Sequence, residues 1–168
     1  MFFPLSKPLF TSFFLWLASV TIASITLADE GNHPVISYRD EQGVVQTLDT
    51  SKHKLTALHF WATWCVPCVQ ELPQVDAAQA KYADKGLAIV TLSMDMKREK
   101  ITQFFKDHKI AHLPAYTDNQ MKTFQKLRII GLPATIFYGQ NGKQLKRTDG
   151  PLNWEDKEVV EFIENHLK

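Results

Sequence analysis

The stretch His59–Pro73, which reads HFWATWCVPCVQELP, contains the only two cysteines of the chain, Cys65 and Cys68. Two thiols at this spacing can form half of a metal site, a structural cross-link or a redox pair. A disulfide between them would close a very short loop, and the stabilisation from a cross-link grows with the length of the loop that it closes. The pair is therefore a poor structural cross-link, and its position favours a chemical role.

The composition of the chain is that of an ordinary globular protein. Of its 168 residues, 45% are apolar and 22% are charged, which argues against intrinsic disorder. This length allows one domain with a substantial core and is too short for two domains of ordinary size. The formal net charge is +1 and the sequence has no basic patch, so nucleic acid is not indicated as a partner.

The first residues have the pattern of a secretory signal peptide. Residues 10–28 carry no charged side chain, Lys7 precedes them, and the run ends in the small-x-small sequence Thr26–Ala28. These features predict that residues 1–28 are a cleaved signal peptide and that residues 29–168 are the mature domain. The apolar run is almost long enough to span a bilayer, so an uncleaved membrane anchor is the alternative. We expect the protein in the periplasm or another extracytoplasmic part of the cell envelope, where disulfides persist.

Alternating strand and helix patterns predict an α/β fold. The order strand–helix–strand–helix, followed by an antiparallel hairpin and a final helix, specifies a mixed sheet with helices on both faces. Asn153 is the predicted N-cap of the last helix, whose predicted buried face is Val159, Val160, Ile163 and Leu167. The other predicted elements are a hairpin over residues 35–48, strands over 55–61, 87–94, 113–116, 135–138 and 144–148, and helices over 65–83, 97–109 and 119–127.

Two motifs carry a resemblance to a known family. WATWCVPC, at residues 61–68, lies between a predicted core strand and a helix, and GLPAT, at residues 131–135, precedes a later strand. In these features the chain resembles the thioredoxin superfamily. The exported start, the N-terminal hairpin, the sequence FWATWCVPCVQELP and the longer central segment are similar to its TlpA/ResA-like branch of membrane-facing thiol–disulfide oxidoreductases. The resemblance covers about residues 35–165 and implies a thioredoxin-like fold with an extra N-terminal β-hairpin and a central insertion.

The two cysteines stand at a predicted helix start, which determines the chemistry that they permit. Cys65 would lie at the helix N-terminus, where unpaired N–H groups and the positive end of the helix dipole favour the thiolate. Cys68 would lie one turn further on and be more buried. We therefore predict that Cys65 is the nucleophile, that Cys68 resolves the mixed disulfide, and that the redox cycle forms and breaks a Cys65–Cys68 disulfide.

Three alternatives use the same cysteines differently. A zinc site needs more ligands, but the chain has no second cysteine pair and His108 and His112 straddle a predicted helix end, so neither a metal nor a cofactor is predicted. Cu(I) on Cys65, Cys68 and a histidine, in a copper-delivery or client-binding module of the same fold, stays open because thiolates suit Cu(I). A thiol peroxidase shares the fold but usually has a Thr-x-x-Cys motif, whereas Thr63 stands two positions before Cys65.

Several residues around the cysteines are predicted to dock the substrate. By the resemblance, Pro133 forms a cis peptide bond and sits against the cysteine pair, which leaves the backbone of Leu132 free to pair with a substrate strand. A simple loop proline is the alternative. Trp64 is predicted to shape the docking surface, and Val66 and Pro67 form the dipeptide that tunes the reduction potential. Because Pro67 removes one helix N–H that could stabilise the thiolate, we expect a reducing potential.

Glu71 and His59 are the candidate proton-transfer groups. Resolution requires a base that deprotonates Cys68, and the TlpA/ResA-like branch often has a glutamate at the position of Glu71. If it is buried, Glu71 should have a raised pKa and accept a proton; a solvated helix carboxylate is the alternative. Many thioredoxins have a buried aspartate at the position of His59. We interpret His59 either as a core histidine or as a second proton shuttle that titrates near neutral pH.

Together these features predict an exported thiol–disulfide oxidoreductase that reduces protein disulfides. The resemblance implies that it receives electrons from a membrane relay of the DsbD/CcdA type and passes them to oxidised client proteins outside the cytoplasm. Family members of this kind often reduce apocytochrome c during cytochrome c maturation, and others serve different thiol proteins. Membrane contact is expected only through the signal peptide or anchor.

Overall fold

The computed structural model describes residues 35–168. The predicted signal peptide, residues 1–28, lies outside the described residues, so its cleavage and the start of the mature domain at residue 29 stay predictions. Over the described range, no helix combines the length and the apolar character that crossing a membrane requires.

Seven strands form one mixed sheet within residues 35–168. They are β1 (Ser37–Arg39), β2 (Val45–Thr47), β3 (Leu55–Trp61), β4 (Leu87–Ser93), β5 (Tyr116–Asp118), β6 (Ala134–Gly139) and β7 (Gln144–Asp149). Their order across the sheet is β2-β1-β5-β4-β3-β6-β7, with β3 parallel to β4 and antiparallel to β6. Strand β3 is buried along its whole length, as its largely apolar sequence predicts for a strand covered on both faces.

In the part of the chain that the structure describes, four helices cover the two faces of this sheet. They are α1 (Val66–Tyr82), α2 (Arg98–Asp107), α3 (Lys122–Lys126) and α4 (Lys157–His166). Buried side chains of α1, α2 and α4 share one hydrophobic cluster, whereas Phe124 of α3 packs against a second cluster. The predicted α/β architecture, with helices on both faces and an N-terminal hairpin made of β1 and β2, is confirmed. Helix α2 and strand β5 form the central insertion between β4 and α3.

The alternation of side chains along β3 decides which of them reach helix α1. Ala57 and Trp61 belong to the cluster that contains the buried face of α1, and Phe60 belongs to the opposite cluster. Because successive side chains of a strand point to opposite faces, His59 lies on the α1 side of the sheet. The antiparallel register places Thr135 of β6 directly beside His59 on the same face.

Four predicted features differ in the structure. The helix predicted over residues 119–127 is the shorter α3, because Gln120 and Met121 have left-handed backbone conformations that end the helix on its N-terminal side. The short strand predicted at residues 113–116 is β5, at Tyr116–Asp118, because pairing with β1 and β4 sets its position. The prediction that Asn153 caps the last helix is wrong, since the Asp156 side chain accepts the capping hydrogen bond at the start of α4. Val160 is half-buried rather than buried, because the face of α4 toward the sheet is centred on the other predicted positions.

Candidate active site

The two cysteines lie at the start of α1 and form a disulfide. Cys65 is the N-cap residue and keeps 7% of its surface exposed, while Cys68 is fully buried. No side chain among residues 35–168 caps this helix start, so its first N–H groups and the helix dipole act on the sulfur of the N-cap residue. Pro67 lies in the first turn and supplies no N–H. The site therefore pairs a sulfur at the helix tip with a buried sulfur one turn later.

A buried carboxylate holds the segment that leads to the cysteines. Asp95 follows β4, and its two oxygens accept hydrogen bonds from the Thr63 backbone N–H and hydroxyl, both at 2.8 Å. The Ser93 hydroxyl donates to the same carboxylate at 2.9 Å. Sequence reasoning missed Asp95. A signal was available, since Asp95 is an acidic residue directly after the predicted buried strand β4. Strand β4 is parallel to β3, which precedes the cysteines, and parallel neighbours end at the same edge of a sheet.

The loop before β6 contains the predicted docking proline. The Leu132–Pro133 peptide bond is cis, as the resemblance implies. Pro133 is buried, and its carbonyl accepts a hydrogen bond from the Gly150 N–H at 2.9 Å. The backbone N–H and C=O of Leu132 have no hydrogen-bond partner among residues 35–168. Both groups are therefore available to an extended chain.

An apolar cleft of about 460 Å³ lies beside Cys65. It brings the predicted docking residues Trp64, Pro67 and Leu132 together with the sulfur, whereas Val66 is exposed outside the lining. Sequence reasoning missed Met94, Met121 and Phe124. Met121 and Phe124 follow the central insertion, and only the tertiary fold brings them to the cleft. The complete lining is Trp64, Cys65, Pro67, Met94, Met121, Phe124, Gly131 and Leu132.

Glu71 is buried on α1, three residues after Cys68, with 5% of its surface exposed. Its Oε1 accepts a hydrogen bond from the Trp154 indole N–H at 2.7 Å, and its Oε2 accepts one from the Leu152 backbone N–H at 3.3 Å. Burial raises the pKa of Glu71, and these two hydrogen bonds oppose the rise. Burial excludes the alternative of a solvated carboxylate. The raised pKa is the property expected of a proton acceptor for a buried thiol.

His59 is fully buried next to this carboxyl group. Its Nδ1 lies 2.9 Å from Thr135 Oγ1 and 3.9 Å from Glu71 Oε1. Desolvation lowers the pKa of His59 to about 3, so the imidazole is neutral at physiological pH. The interpretation of His59 as a shuttle that titrates near neutral pH does not fit this value. Since His59 is uncharged, its approach to Glu71 is not an ion pair.

Trp154 contacts both groups, and sequence reasoning missed it. Besides the hydrogen bond to Glu71, its ring meets the His59 ring edge-on, with centroids 6.2 Å apart. Trp154 follows Glu71 by 83 residues, so no local pattern links the two. The only signal was a large aromatic residue just before the last helix.

The two histidines considered as zinc ligands, His108 and His112, each have a hydrogen-bond partner at Nδ1 away from the cysteines. The Nδ1 of His108 lies 2.9 Å from the carbonyl oxygen of Phe104, and the Nδ1 of His112 lies 3.0 Å from a carboxylate oxygen of Asp76. Within residues 35–168, no group of three or more histidine, cysteine, aspartate or glutamate side chains is placed to hold a metal ion.

A disulfide between a sulfur at a helix tip and a buried sulfur one turn later supports exchange with another pair of thiols. The fold and this pair define a class, the thiol–disulfide oxidoreductases of the thioredoxin type. A family profile described as Thioredoxin-like matches residues 53–144, and the chain belongs to this family. It is accordingly a redox enzyme that acts on the disulfides or thiols of client proteins.

Relatives and solved structures agree with this class. The chain is 32% identical to thiol-disulfide oxidoreductase ResA of Oceanobacillus iheyensis over 117 residues, which is 70% of this chain and 60% of the relative. It is 28% identical to ResA of Bacillus thuringiensis subsp. konkukian, over 77% of this chain and 70% of the relative. The crystal structure of a putative thiol:disulfide interchange protein DsbE from Chlorobium tepidum superimposes with a TM-score of 0.68 at 25% identity, covering 81% of this chain and 95% of that one.

Proposed function

We propose that the protein is an exported reductase of protein disulfides, in which Cys65 attacks the client and Cys68 resolves the mixed disulfide. The observation that carries this proposal is the buried carboxyl group of Glu71 on the same helix as the fully buried Cys68. A buried base is needed when a buried thiol must become a nucleophile, and that step completes the reduction of a client.

Reduction of the client takes two transfers at sulfur. The Cys65 thiolate attacks one sulfur of the client disulfide, forms a mixed disulfide and releases the other client sulfur as a thiolate, which takes a proton from water. Glu71 then accepts the proton of the Cys68 thiol, and the Cys68 thiolate attacks the Cys65 sulfur. This step expels the second client thiolate and forms the Cys65–Cys68 disulfide. Two electrons have then passed from the enzyme to the client.

The cleft beside Cys65 supports an extended client with apolar side chains near its cysteine. The free backbone groups of Leu132 can pair with the client backbone, and the lining of the cleft can cover one or two apolar side chains. Clients of this type include apocytochrome c during cytochrome c maturation and other thiol proteins of the cell envelope. A membrane relay of the DsbD/CcdA type would restore the dithiol by the same exchange in reverse.

Export is supported by the sequence pattern of residues 1–28. The uncharged run, the preceding lysine and the small-x-small ending are the features of a signal peptide, and residues 29–168 would form the mature domain. Outside the cytoplasm, a cysteine pair that cycles between thiols and a disulfide needs a dedicated electron source, because the compartment favours disulfides.

A trapping experiment tests the mechanism. The Cys68→Ser variant, mixed in reduced form with a peptide that contains a disulfide, should accumulate a mixed disulfide through Cys65, detected by mass spectrometry. The Cys65→Ser variant is the matched control and should form none. Equilibration of the wild type with glutathione should give a potential nearer to thioredoxin, at about −270 mV, than to DsbA, at about −120 mV. Trapping through Cys68, or a potential near the upper value, would contradict the proposal.

A further inference from the structure

The imidazole of His59 has a partner on one nitrogen only. It is fully buried, its Nδ1 lies 2.9 Å from Thr135 Oγ1, and its Nε2 has no hydrogen-bond partner within the described residues. A neutral imidazole carries one hydrogen, so one ring nitrogen is a donor and the other an acceptor. The two tautomers therefore leave different groups unpaired at Nε2.

The burial of Nε2 decides between the tautomers. A buried N–H without an acceptor is rarer and more costly than a buried acceptor without a donor. The tautomer with its hydrogen on Nδ1 leaves only an acceptor unpaired. We therefore assign the hydrogen of His59 to Nδ1, from which it donates to Thr135 Oγ1.

The same Nδ1–H lies close to a second acceptor. Glu71 Oε1 is 3.9 Å from Nδ1, and a ring shift of about 1 Å would bring the two atoms to hydrogen-bond distance. Glu71 now has two donors, the Trp154 indole N–H and the Leu152 N–H, the latter at 3.3 Å. A buried carboxylate anion requires more donors than a protonated carboxyl group.

We propose that His59 is a positioning residue for Glu71, whose Nδ1–H donates to Thr135 while Glu71 is protonated and to Glu71 Oε1 once Glu71 is ionised. This inference rests on the proposed function, in which Glu71 exchanges a proton with Cys68. The imidazole itself stays neutral throughout. Its role is to provide the buried carboxylate with a third donor at the moment when the carboxylate forms.

The surroundings of Glu71 restrict which groups influence this switch. His59 of β3 faces it, Cys68 precedes it on its own helix, and Thr135 of β6 competes for the His59 donor. The segment before α4 contributes Trp154 and a backbone N–H, neither of which is charged. The pH dependence of the resolving step should therefore follow the ionisation of Glu71, as influenced by His59, Cys68 and Thr135.

The pH profile of the resolving step tests the inference. Reduced protein mixed with one equivalent of dithiobis(nitrobenzoate) should release thionitrobenzoate twice, first when Cys65 attacks the reagent and then when Cys68 attacks Cys65. Stopped-flow absorbance follows both releases. The rate of the second release should rise with pH, with a midpoint set by the ionisation of Glu71.

Two substitutions should move this midpoint in opposite directions. His59→Leu removes the donor, so the midpoint should rise by about one pH unit. Thr135→Val removes the competing acceptor with little change of shape, which frees Nδ1–H for Glu71, and the midpoint should fall by about half a unit. His59→Asn keeps an amide donor and should lie between the wild type and His59→Leu; it also replaces His59→Leu if that variant does not fold.

The double variant and the tautomer complete the test. In a Glu71→Gln background, His59→Leu should cause no further change in the pH profile, because the carboxyl group whose ionisation it would shift is gone. Nitrogen NMR of the wild type should show Nε2 without hydrogen. If Glu71→Gln leaves the profile of the wild type unchanged, the proposed role of Glu71 fails. If Glu71→Gln changes the profile but the His59 and Thr135 variants do not shift it in opposite directions, or if Nε2 carries the hydrogen, only the inference on His59 is overturned.

Discussion

Two carboxylates of this protein, Asp95 and Glu71, are equally buried, each with 5% of its surface exposed, but their surroundings differ. Asp95 accepts three hydrogen bonds, all between 2.8 and 2.9 Å, from Thr63 and Ser93. From the described residues Glu71 accepts two, one of them at 3.3 Å, and it has a neutral histidine nearby. The two carboxylates thus differ in their number of donors rather than in their degree of burial: Asp95 holds a loop, and Glu71 is the group that we propose exchanges a proton.

The largest effect on stability is expected at Asp95. Asp95→Ala removes three hydrogen bonds and leaves the buried Ser93 hydroxyl and the Thr63 backbone N–H without their acceptor, which should lower the free energy of unfolding by about 3 kcal/mol. Urea denaturation measures this loss. The exposed Asp84→Ala is the control and should change stability by less than about 0.5 kcal/mol. A similar small loss for Asp95→Ala would show that its hydrogen bonds do not hold the loop.

At Glu71 the effect should appear in the rate instead. Glu71→Gln removes the proton acceptor and should slow the second thionitrobenzoate release about 100-fold at neutral pH, while the first release stays close to that of the wild type. Stability at neutral pH should not fall, because the raised pKa of Glu71 means that its ionisation works against the folded state above its unfolded pKa of 4.5. Glu164→Gln, on α4, is the control. Equal rates for both variants would remove Glu71 from the mechanism.

The contrast between the two carboxylates explains how far the sequence could predict the site. Strand β3 has the predicted bounds, and α1 begins one residue later than predicted, because continuous apolar runs and helical periodicity are local signals. Cys65, Cys68 and Glu71 all lie within this stretch. Their arrangement could therefore be predicted from spacing along one helix.

The partners of these residues could not be predicted, because they come from distant parts of the chain. Trp154, Thr135 and Asp95 reach the site through the sheet and the segment before α4, and the hydrogen bond from Trp154 to Glu71 spans 83 residues. Strand β5 shows the same limit in the fold, since its position follows from pairing with two other strands. Local pattern predicts which residues carry the chemistry, while tertiary packing decides how many donors each carboxylate receives.

The neutral His59 is a second difference between the surroundings of Glu71 and those of Asp95. Its effect should appear when the free energy of unfolding is measured over a pH series. The pKa of His59 is about 3 in the folded protein and 6.5 when unfolded, so only the unfolded chain binds this proton between those values and stability falls as the pH drops from about 6.5 toward 3. Glu71 acts with the opposite sign, since the folded protein keeps a proton that the unfolded chain releases above 4.5.

His59→Asn should make the protein less sensitive to acid. We expect the stability lost between about pH 7 and about pH 5 to be smaller by ~2 kcal/mol than in the wild type, because Asn does not titrate. Urea midpoints at the two pH values measure the difference. His53→Asn, at a half-buried site before β3, is the control for the loss of one imidazole. An unchanged slope for His59→Asn would mean that the folded protein binds the proton after all.

The smallest expected effect comes from the indole N–H that bonds Glu71. Trp154→Phe removes this donor, held at 2.7 Å, and keeps most of the aromatic surface. The carboxylate loses a hydrogen bond, so the pKa of Glu71 should rise further, and the midpoint of the second thionitrobenzoate release should move up by about half a pH unit.

Trp61→Phe supplies a matched control for this shift. Trp61 is also buried, but its Nε1 has no hydrogen-bond partner within residues 35–168. Both substitutions lose the same ring volume and one N–H, and both should lower stability by about 1 kcal/mol or more through the cavity that they leave. Only Trp154→Phe should change the pH midpoint. If the two variants shift it equally, packing around the helix rather than the donor on Glu71 sets the pH dependence, and the distinction between the two carboxylates would rest on stability alone.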